Sequence, residues 1–239
     1  MEPELGVGEL SRRVGLPKST VFRLLTTLEV QGFIGQNSET GLYHLGIEII
    51  PLANSVVVYR DLRRIARPQL RQLVDTLEDT ATLNVLVNKE ILNLDQVEFR
   101  GRLVVRSGGT GKRLPFHATA AGKALVAFVP EDELDTLIAP PLPSLTPATI
   151  TETDELRRQL TQARARGYST TFEELEKGLH AVATPIRNHK GDVIASLSIS
   201  GPSYRLTRGH IKKIAPIIIQ TANHISREMG YTQDPDHLK

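Results

Sequence analysis

The chain has 239 residues, 40% of them hydrophobic, and a net charge of +2, so it is long enough for two domains, and its overall charge does not identify a nucleic-acid-binding protein. It contains no cysteine, which excludes a disulfide framework, a cysteine zinc finger and a thiol nucleophile. There is no run of about 18 apolar residues and no charged start followed by an apolar stretch, so we expect a cytoplasmic protein without a membrane span or signal peptide.

The first 46 residues predict two helices and then a β-hairpin. Val7, Leu10 and Val14 have the spacing of one helix face, and the "GLP" that follows is typical of one helix ending and another beginning. The second helix is expected to reach Gly32. Its predicted buried side consists of Val21, Leu24, Leu25 and Leu28.

A hairpin and a long helical segment come next. The stretch "FIGQNSETGLYHL" predicts a strand, a turn at Asn37 to Gly41 and a returning strand. A helix from Ile47 to about Tyr59 would connect two domains, and the residues after it continue the helical period, with Pro68 expected to restart the helix. The predicted division is a domain over 1–46, a linker helix over 47–69 and a second domain over 70–239.

The second domain predicts an antiparallel sheet with helices, so the fold class is α+β. Its predicted strands are "TLNVLV", "EILNLDQVEF", "RLVVRSG", "YSTTF", "LHAVATPI" and "DVIASLSI". Helices are expected at roughly 119–128, 131–138 and 154–166, with a Pro-rich loop between the last two. An amphipathic helix from Thr207 to Met229 closes the chain, with a kink expected at Pro216.

Two helices, a tight turn with glycine and a hairpin describe a winged helix-turn-helix, whose second helix enters the major groove of DNA. The residues expected to face DNA are Lys18, Ser19, Thr20, Phe22, Arg23 and Thr26 on that helix and Asn37 at the tip of the hairpin. Lys18 and the two hydroxyls would reach phosphates or base edges, Arg23 would pair with guanine, and Phe22 would contact a thymine methyl or a sugar.

The alternative is an ordinary pair of amphipathic helices with Lys18 and Arg23 on a solvated face. Residues 1–50 carry four Lys or Arg against six Glu, a net charge of −2. This tally counts against DNA binding unless the four cations share one face.

Two stretches of the second domain predict a small-molecule site. In "SLSISG" three serines alternate onto one face of a strand with Leu197 and Ile199 on the other, which indicates a polar pocket unless the serine face is solvent-exposed. In "FHATAAG" the small Ala120 and Ala121 stand in the first turn of a helix capped by Thr119, where free amides favour a carboxylate.

Catalysis has weaker support. An enzyme would recruit His117, Glu173, Glu174 and Ser198, but the simpler interpretation has His117 packed at a helix start and both glutamates on a solvated loop. Neither Gly-Lys pair has the spacing of a phosphate-binding loop, and no histidine spacing matches a metal motif. We therefore expect neither enzymatic activity nor a cofactor nor a metal site.

Four segments in order resemble the IclR family of bacterial transcriptional regulators across almost the whole chain. They are "GELSRRVGLPKSTVFRLLTTLEVQGFI", "PFHATAAGKALVA", "ARGYSTTFEELEKGLHAVATPI" and "GDVIASLSISGPSYRLT". The resemblance implies a winged helix-turn-helix, a linker helix and a GAF-like effector domain. It also implies dimers or tetramers that bind palindromic operators and respond to a small-molecule effector.

The resemblance further implies which residues line the effector pocket. Carried over by motif, and with His117 added as a neighbouring candidate, they are Leu103, Arg106, Leu114, His117, Ala120, Ala121, Thr171, Ala181, Ser198 and Ser200. Arg106 would clamp a carboxylate, and the two leucines with Ala181 would face an apolar part. The expected effector is a small organic acid or a related metabolite.

The sequence departs from the family pattern at two points. Members normally have a further helix before the one at Val7, and only "MEPEL" precedes it here, so we expect part of the apolar face of the second helix to be exposed. The family's usual cysteine is replaced by Ala181. The competing class of protein is a GAF-like metabolite-binding or catalytic protein whose helical amino end only mediates dimerisation.

Overall fold

The computed structural model of the chain describes residues 4–54, 57–99 and 109–232, and these divide into two units, Met1–Arg60 and Asp61–Lys239. Helices and antiparallel strands are both present, which confirms the predicted α+β class. None of the helices in these ranges combines the length and apolar character that crossing a bilayer requires.

The first unit is a helix pair followed by a hairpin. Its elements are α1 (Val7–Val14), α2 (Lys18–Val30), β1 (Ile34–Gln36), β2 (Tyr43–Leu45) and α3 (Ile49–Asn54). Gly15 ends α1 with φ = 67°, a left-handed conformation that favours glycine, and the Ser11 hydroxyl donates to Leu16 O at 2.6 Å across the same turn. Both helices and the hairpin are confirmed.

The apolar side of α2 is only half buried. Val21 and Leu25 pack against Tyr43, whereas Leu24 and Leu28 are 52% and 41% exposed. The expected exposure of part of this face is confirmed. Val14, the last residue of α1, is also exposed.

The predicted restart at Pro68 is wrong, because α4 (Val57–Leu77) runs through it without interruption. A proline inside a helix costs about 3 kcal/mol. Leu62, Leu70 and Leu73 lie on one buried stripe on both sides of the proline, and burial of each contributes about 1.5–3 kcal/mol. Tertiary burial therefore outweighs the lost hydrogen bond.

The second unit contains a six-stranded antiparallel sheet with the strand order β5-β4-β3-β8-β7-β6. The strands are β3 (Thr80–Val87), β4 (Glu90–Val97), β5 (Arg113–Pro115), β6 (Ser169–Phe172), β7 (Leu179–Arg187) and β8 (Val193–Pro202). Strand β5 was not predicted, and the predicted strand "RLVVRSG" lies outside the described residues.

Helices cover both faces of this sheet. The remaining helices are α5 (Ala120–Val126), α6 (Glu131–Leu137), α7 (Thr153–Arg166) and α8 (Arg208–Glu228), and a 3-10 turn at Phe116–Ala118 precedes α5. One face packs on α4 and α8 through residues such as Leu83, Leu197 and Ile199. The other face meets α5, where Ala120 and Ala124 contact Ala183.

Candidate functional sites

The side chains predicted to face DNA are exposed along α2. Those on the helix are Lys18, Ser19, Thr20, Phe22, Arg23 and Thr26. Phe22 is 55% exposed, which is unusual for a side chain of its size. Pro17 occupies the cap position without a side-chain cap bond, and the first turn has no acidic residue. This helix start leaves backbone amides and positive dipole available for an anion such as a phosphate.

The four Lys and Arg side chains of residues 1–50 fall into two groups. Arg12 and Arg13 bind Glu9, and the pKa of that carboxyl is lowered by the hydrogen bond from Arg13 and by the charge of Arg12. Lys18 and Arg23 have no carboxylate partner among the residues that the structure describes. The excess of acidic side chains in residues 1–50 therefore does not neutralise Lys18 and Arg23 of α2.

Two of the predicted DNA-facing residues already have local hydrogen bonds. The Thr26 hydroxyl donates to Phe22 O at 3.0 Å. The Asn37 Oδ1 accepts from the amides of Glu39 and Thr40 at 2.9 and 3.2 Å, so this side chain organises the turn of the hairpin.

A narrow cavity of about 60 Å³ lies between the sheet and the start of α5. Seven of the residues predicted for the effector pocket line it. They are Leu114, Ala120, Ala121, Thr171, Ala181, Ser198 and Ser200. Leu103 and Arg106 lie outside the described residues. His117 is not part of the lining; its Nε2 bonds to Pro143 O at 3.0 Å, and burial lowers its pKa.

The serine strand supplies one wall of the cavity. Ser198 and Ser200 line it, whereas Ser196 is fully buried and does not. Ser196 and Ser198 are both buried, so the interpretation of a solvent-facing serine surface is wrong.

The adjoining strands β3 and β4 add polar groups that the sequence analysis missed. These are Thr80, Thr82, Asn84, Asn93 and Gln96. Thr82, directly opposite Ser198 in the sheet, is bonded to it with 2.7 Å between the hydroxyl oxygens, and Asn84 Nδ2 donates to Thr82 Oγ1 at 2.9 Å. The signal was present: in "TATLNVLV" polar residues alternate with apolar ones, as they do in "SLSISG".

One buried acceptor in this wall has no partner among the residues that the structure describes. Asn93 Nδ2 donates to Gln96 Oε1 at 2.9 Å, but Asn93 Oδ1 is buried without a hydrogen bond. A buried carbonyl oxygen in this state costs about 1–3 kcal/mol. A ligand with a hydroxyl or amino donor would remove that cost.

The start of α5 is fixed by its cap and by a close approach. Thr119 Oγ1 accepts from Gly122 N at 3.0 Å, which confirms the predicted cap. A Cβ at Gly122 would lie 2.2 Å from Phe116 O, so only glycine allows this contact. The small side chains of Ala120 and Ala121 consequently stay at the cavity wall.

The interpretation of Glu174 as a solvated loop residue is wrong. Glu174 is 5% exposed, and its carboxylate lies 2.5 Å from the Nζ of Lys123, which is 1% exposed and also donates to Gln159 at 2.7 Å. Burial raises the pKa of Glu174 and lowers that of Lys123, whereas the attraction between the two charges opposes both shifts.

The other candidate catalytic groups are held in separate hydrogen bonds. Glu173 Oε1 accepts from Gly178 N at 2.9 Å within the β6–β7 turn. His117 bonds to Pro143 O and Ser198 to Thr82. Within the ranges that the structure describes, no group of three metal-ligand side chains is close enough to hold an ion.

Comparison with known proteins gives matches along most of the chain. Residues 1–38 match the family model of the IclR helix-turn-helix domain, and residues 54–227 match that of the bacterial transcriptional regulator IclR C-terminal domain. The HTH-type transcriptional regulator XynR of Escherichia coli is 36% identical over 230 residues, which cover 95% of this chain and 90% of XynR.

Two solved structures have the same fold. A crystal structure of an IclR transcriptional regulator from a Silicibacter species matches with a TM-score of 0.87 and 26% identity, covering 98% of this chain and 92% of that one. An IclR homologue from Microbacterium hydrocarbonoxydans, complexed with 4-hydroxybenzoate, matches with a TM-score of 0.85 and 26% identity over 95% of this chain and 92% of that one. Since the carboxy-terminal family model alone matches residues 54–227, more than half of the chain, this protein belongs to the IclR family of bacterial transcriptional regulators.

Proposed function

We propose that this protein is a DNA-binding transcriptional regulator whose operator affinity is controlled by a small molecule in the cavity beside α5. The observation that carries the DNA part is the start of α2, where Lys18, two exposed hydroxyls and an uncapped, acid-free helix end occur together. Arg23 and Phe22 lie one turn further along the exposed side. This combination favours phosphate binding at the helix start and base contacts beyond it.

The cavity favours a small hydroxylated organic acid. Asn84 donates to Thr82, and one of the Thr82 and Ser198 hydroxyls donates to the other, so one hydroxyl proton of this pair is left for a ligand acceptor. Asn93 Oδ1 needs a ligand donor. A carboxylate and a hydroxyl on one compact molecule satisfy both groups, and 4-hydroxybenzoate in the Microbacterium homologue has this chemistry. Arg106 stays a candidate for a second carboxylate contact.

We also propose that the protein acts in the cytoplasm as a dimer or tetramer on a palindromic site, with the segment around residues 47–69 at the two-fold contact. Ile47, Ile50 and Leu24 of the first unit are large, apolar and more than half exposed, which favours association through this surface. We expect no enzymatic activity, since the candidate catalytic groups each hold a structural bond.

The DNA part is tested by fluorescence anisotropy with a labelled duplex from the region upstream of its own gene. Arg23→Ala is expected to cost about 1–3 kcal/mol of binding free energy. Arg12→Ala is the matched control, because Arg12 is an exposed cation already bound to Glu9, and it should change affinity little. Equal effects of the two variants, or binding that does not weaken with salt, would favour the alternative in which the amino-terminal helices only dimerise the protein.

The effector part is tested by calorimetry with lactate and propionate, which differ by one hydroxyl. Wild-type protein should bind lactate more tightly, because only lactate has a donor for Asn93 Oδ1. Asn93→Leu should remove this preference, whereas Thr76→Val, at an exposed position of α4, should keep it. A preference that survives Asn93→Leu would contradict the assignment.

A further inference from the structure

A second concave site lies on the opposite side of strand β6. It is a groove of about 550 Å³ between α7, β6 and α8, which we name the α7–α8 groove. Four cationic side chains line it: Arg158 and Arg166 from α7, and Arg208 and Lys212 from α8. Its volume falls within the range of small-molecule sites.

Aromatic rings hold two of these guanidinium groups in place. Arg208 Cζ lies 3.6 Å from the centre of the Phe172 ring, and Arg166 Cζ lies 4.4 Å from that of Tyr168. Arg166 also donates to Tyr168 O at 2.6 Å and to Thr170 Oγ1 at 3.1 Å. Both groups keep unused N–H donors and are oriented without a carboxylate from the described part of the chain.

Acidic side chains offset only part of the positive charge of the groove. Glu174 is the one acidic side chain among the described residues that line it, and this carboxylate is bonded to Lys123. Arg158 pairs with the exposed Glu155 at 2.7 Å, but Arg166, Arg208 and Lys212 have no carboxylate partner within the described ranges. Desolvation lowers the pKa of Arg166.

The start of α8 adds to this potential. Its first turn has no acidic residue, although acids are favoured there by the helix dipole, and Arg208 and Lys212 stand at its amino end instead. Thr207 caps this helix by accepting from His210 N at 3.2 Å, so oriented cations, aromatic rings and a helix start without acidic residues occur together at one groove. A bound anion would reduce the repulsion between these exposed cations.

The groove is separate from the effector cavity. Thr171 lines the effector cavity, whereas its neighbours Thr170 and Phe172 line the groove, because alternate residues of a strand point to opposite faces. Within the described ranges, the two sites share no lining residue.

We propose that the α7–α8 groove binds a small, multiply charged anion with an apolar part, either a phosphorylated or a polycarboxylate metabolite. The guanidinium groups match the oxygen pairs of phosphate and carboxylate, and Phe172 and Tyr168 accept the apolar part. This proposal does not depend on the identity of the effector in the other cavity.

The test is isothermal titration calorimetry of the full chain with phenyl phosphate and with phthalate, at constant ionic strength and about pH 8, above the second phosphate pKa of about 6. At least one dianion should bind, and the tighter one identifies the phosphate or the polycarboxylate class. Arg208→Gln should weaken binding about tenfold or more, the loss of one charge-assisted contact.

Two adjacent lysines provide a matched pair. Lys212→Gln should weaken binding severalfold, whereas Lys213→Gln, an exposed neighbour outside the groove, should leave it unchanged. Lys212→Gln also keeps the test decisive if Arg208→Gln fails to fold. No binding of either dianion, equal effects of the two lysine variants, or a loss on Ser198→Val that matches the loss on Arg208→Gln would overturn the proposal. Tighter binding of polyglutamate than of both dianions would overturn it in favour of a protein partner.

Discussion

The buried pair between Lys123 and Glu174 allows a quantitative test of the second unit. Lys123→Met leaves the Glu174 carboxylate, 5% exposed, without its cation, and Glu174→Gln leaves the ammonium of Lys123 with Gln159 as its remaining side-chain partner. Breaking a buried pair on one side costs about 3–5 kcal/mol, because an uncompensated charge stays in the interior. Replacing both members, with Lys123→Met and Glu174→Leu together, should cost far less than the sum.

Urea unfolding followed by circular dichroism measures the effect. The free energy of unfolding falls by about 2–3 kcal/mol per molar urea, so a loss of about 3–5 kcal/mol of stability lowers the unfolding midpoint by about 1–2.5 M. The control is Arg113→Met with Glu90→Gln, an exposed pair between β5 and β4 that has no contact with Lys123, and a much smaller shift of the midpoint is expected for it. Single losses below about 1 kcal/mol, or single losses that add in the double variant, would refute the assignment of a coupled buried pair.

The pH dependence of Lys123→Met has a definite sign. Burial raises the pKa of Glu174 above its usual 4.5, so this carboxyl favours the folded state below the unfolded pKa and loses that contribution as pH rises through the folded pKa. Without Lys123, no ammonium opposes the shift. The cost of Lys123→Met should therefore be largest at neutral pH and should decrease as the pH falls towards 4.5.

Three further outcomes are expected. Burial lowers the pKa of His117 below 6.5, so its contribution to stability is present above pH 6.5 and is lost on acidification. His117→Gln should weaken the dependence of stability on pH, and the slope of the unfolding free energy against pH should change by at most about 1.4 kcal/mol per pH unit. An unchanged slope would contradict this. Gly122→Ala should destabilise the protein by more than about 2 kcal/mol, because the new Cβ would lie 2.2 Å from Phe116 O. Gly209→Ala, in open space on α8, is the control and should stabilise the protein by about 0.5–1 kcal/mol. Similar unfolding midpoints for the two variants would argue against the close approach at Gly122. Phe22→Ala should weaken DNA binding severalfold in anisotropy without lowering the unfolding midpoint, and the reverse result would identify Phe22 as a packing residue.

The features that the sequence predicted well are local. The helix ends near Gly15, Thr119 and Gly167 follow from caps and breaks within a few residues, and the predicted helices at 131–138 and 154–166 agree with α6 and α7 to within one residue at each end. The hairpin likewise follows from its own turn residues. These signals do not depend on the rest of the chain.

The predictions were wrong where contacts between residues far apart in the sequence determine the structure. Pro68 stays helical because leucines on both sides of it pack on the sheet, and Glu174 is buried because Lys123, 51 positions earlier, provides its counter-charge. The polar residues of β3 that line the cavity were not predicted, although polar and apolar residues alternate in β3 as they do in β8. Only the pairing of Thr82 with Ser198 in the sheet places the polar residues of both strands on one surface. The position of Arg106 stays a prediction.

Alternate side chains of β8 have two different roles, one in the core and one in the cavity. Leu197 and Ile199 point into the core with α4 and α8, whereas Ser198 and Ser200 point into the cavity, so cohesion of the sheet depends mainly on the side away from the ligand. Substitutions at cavity positions that are only partly buried, such as Ser200, should consequently change which molecule binds at little cost in folding free energy. A scaffold of this kind lets ligand preference evolve independently of stability.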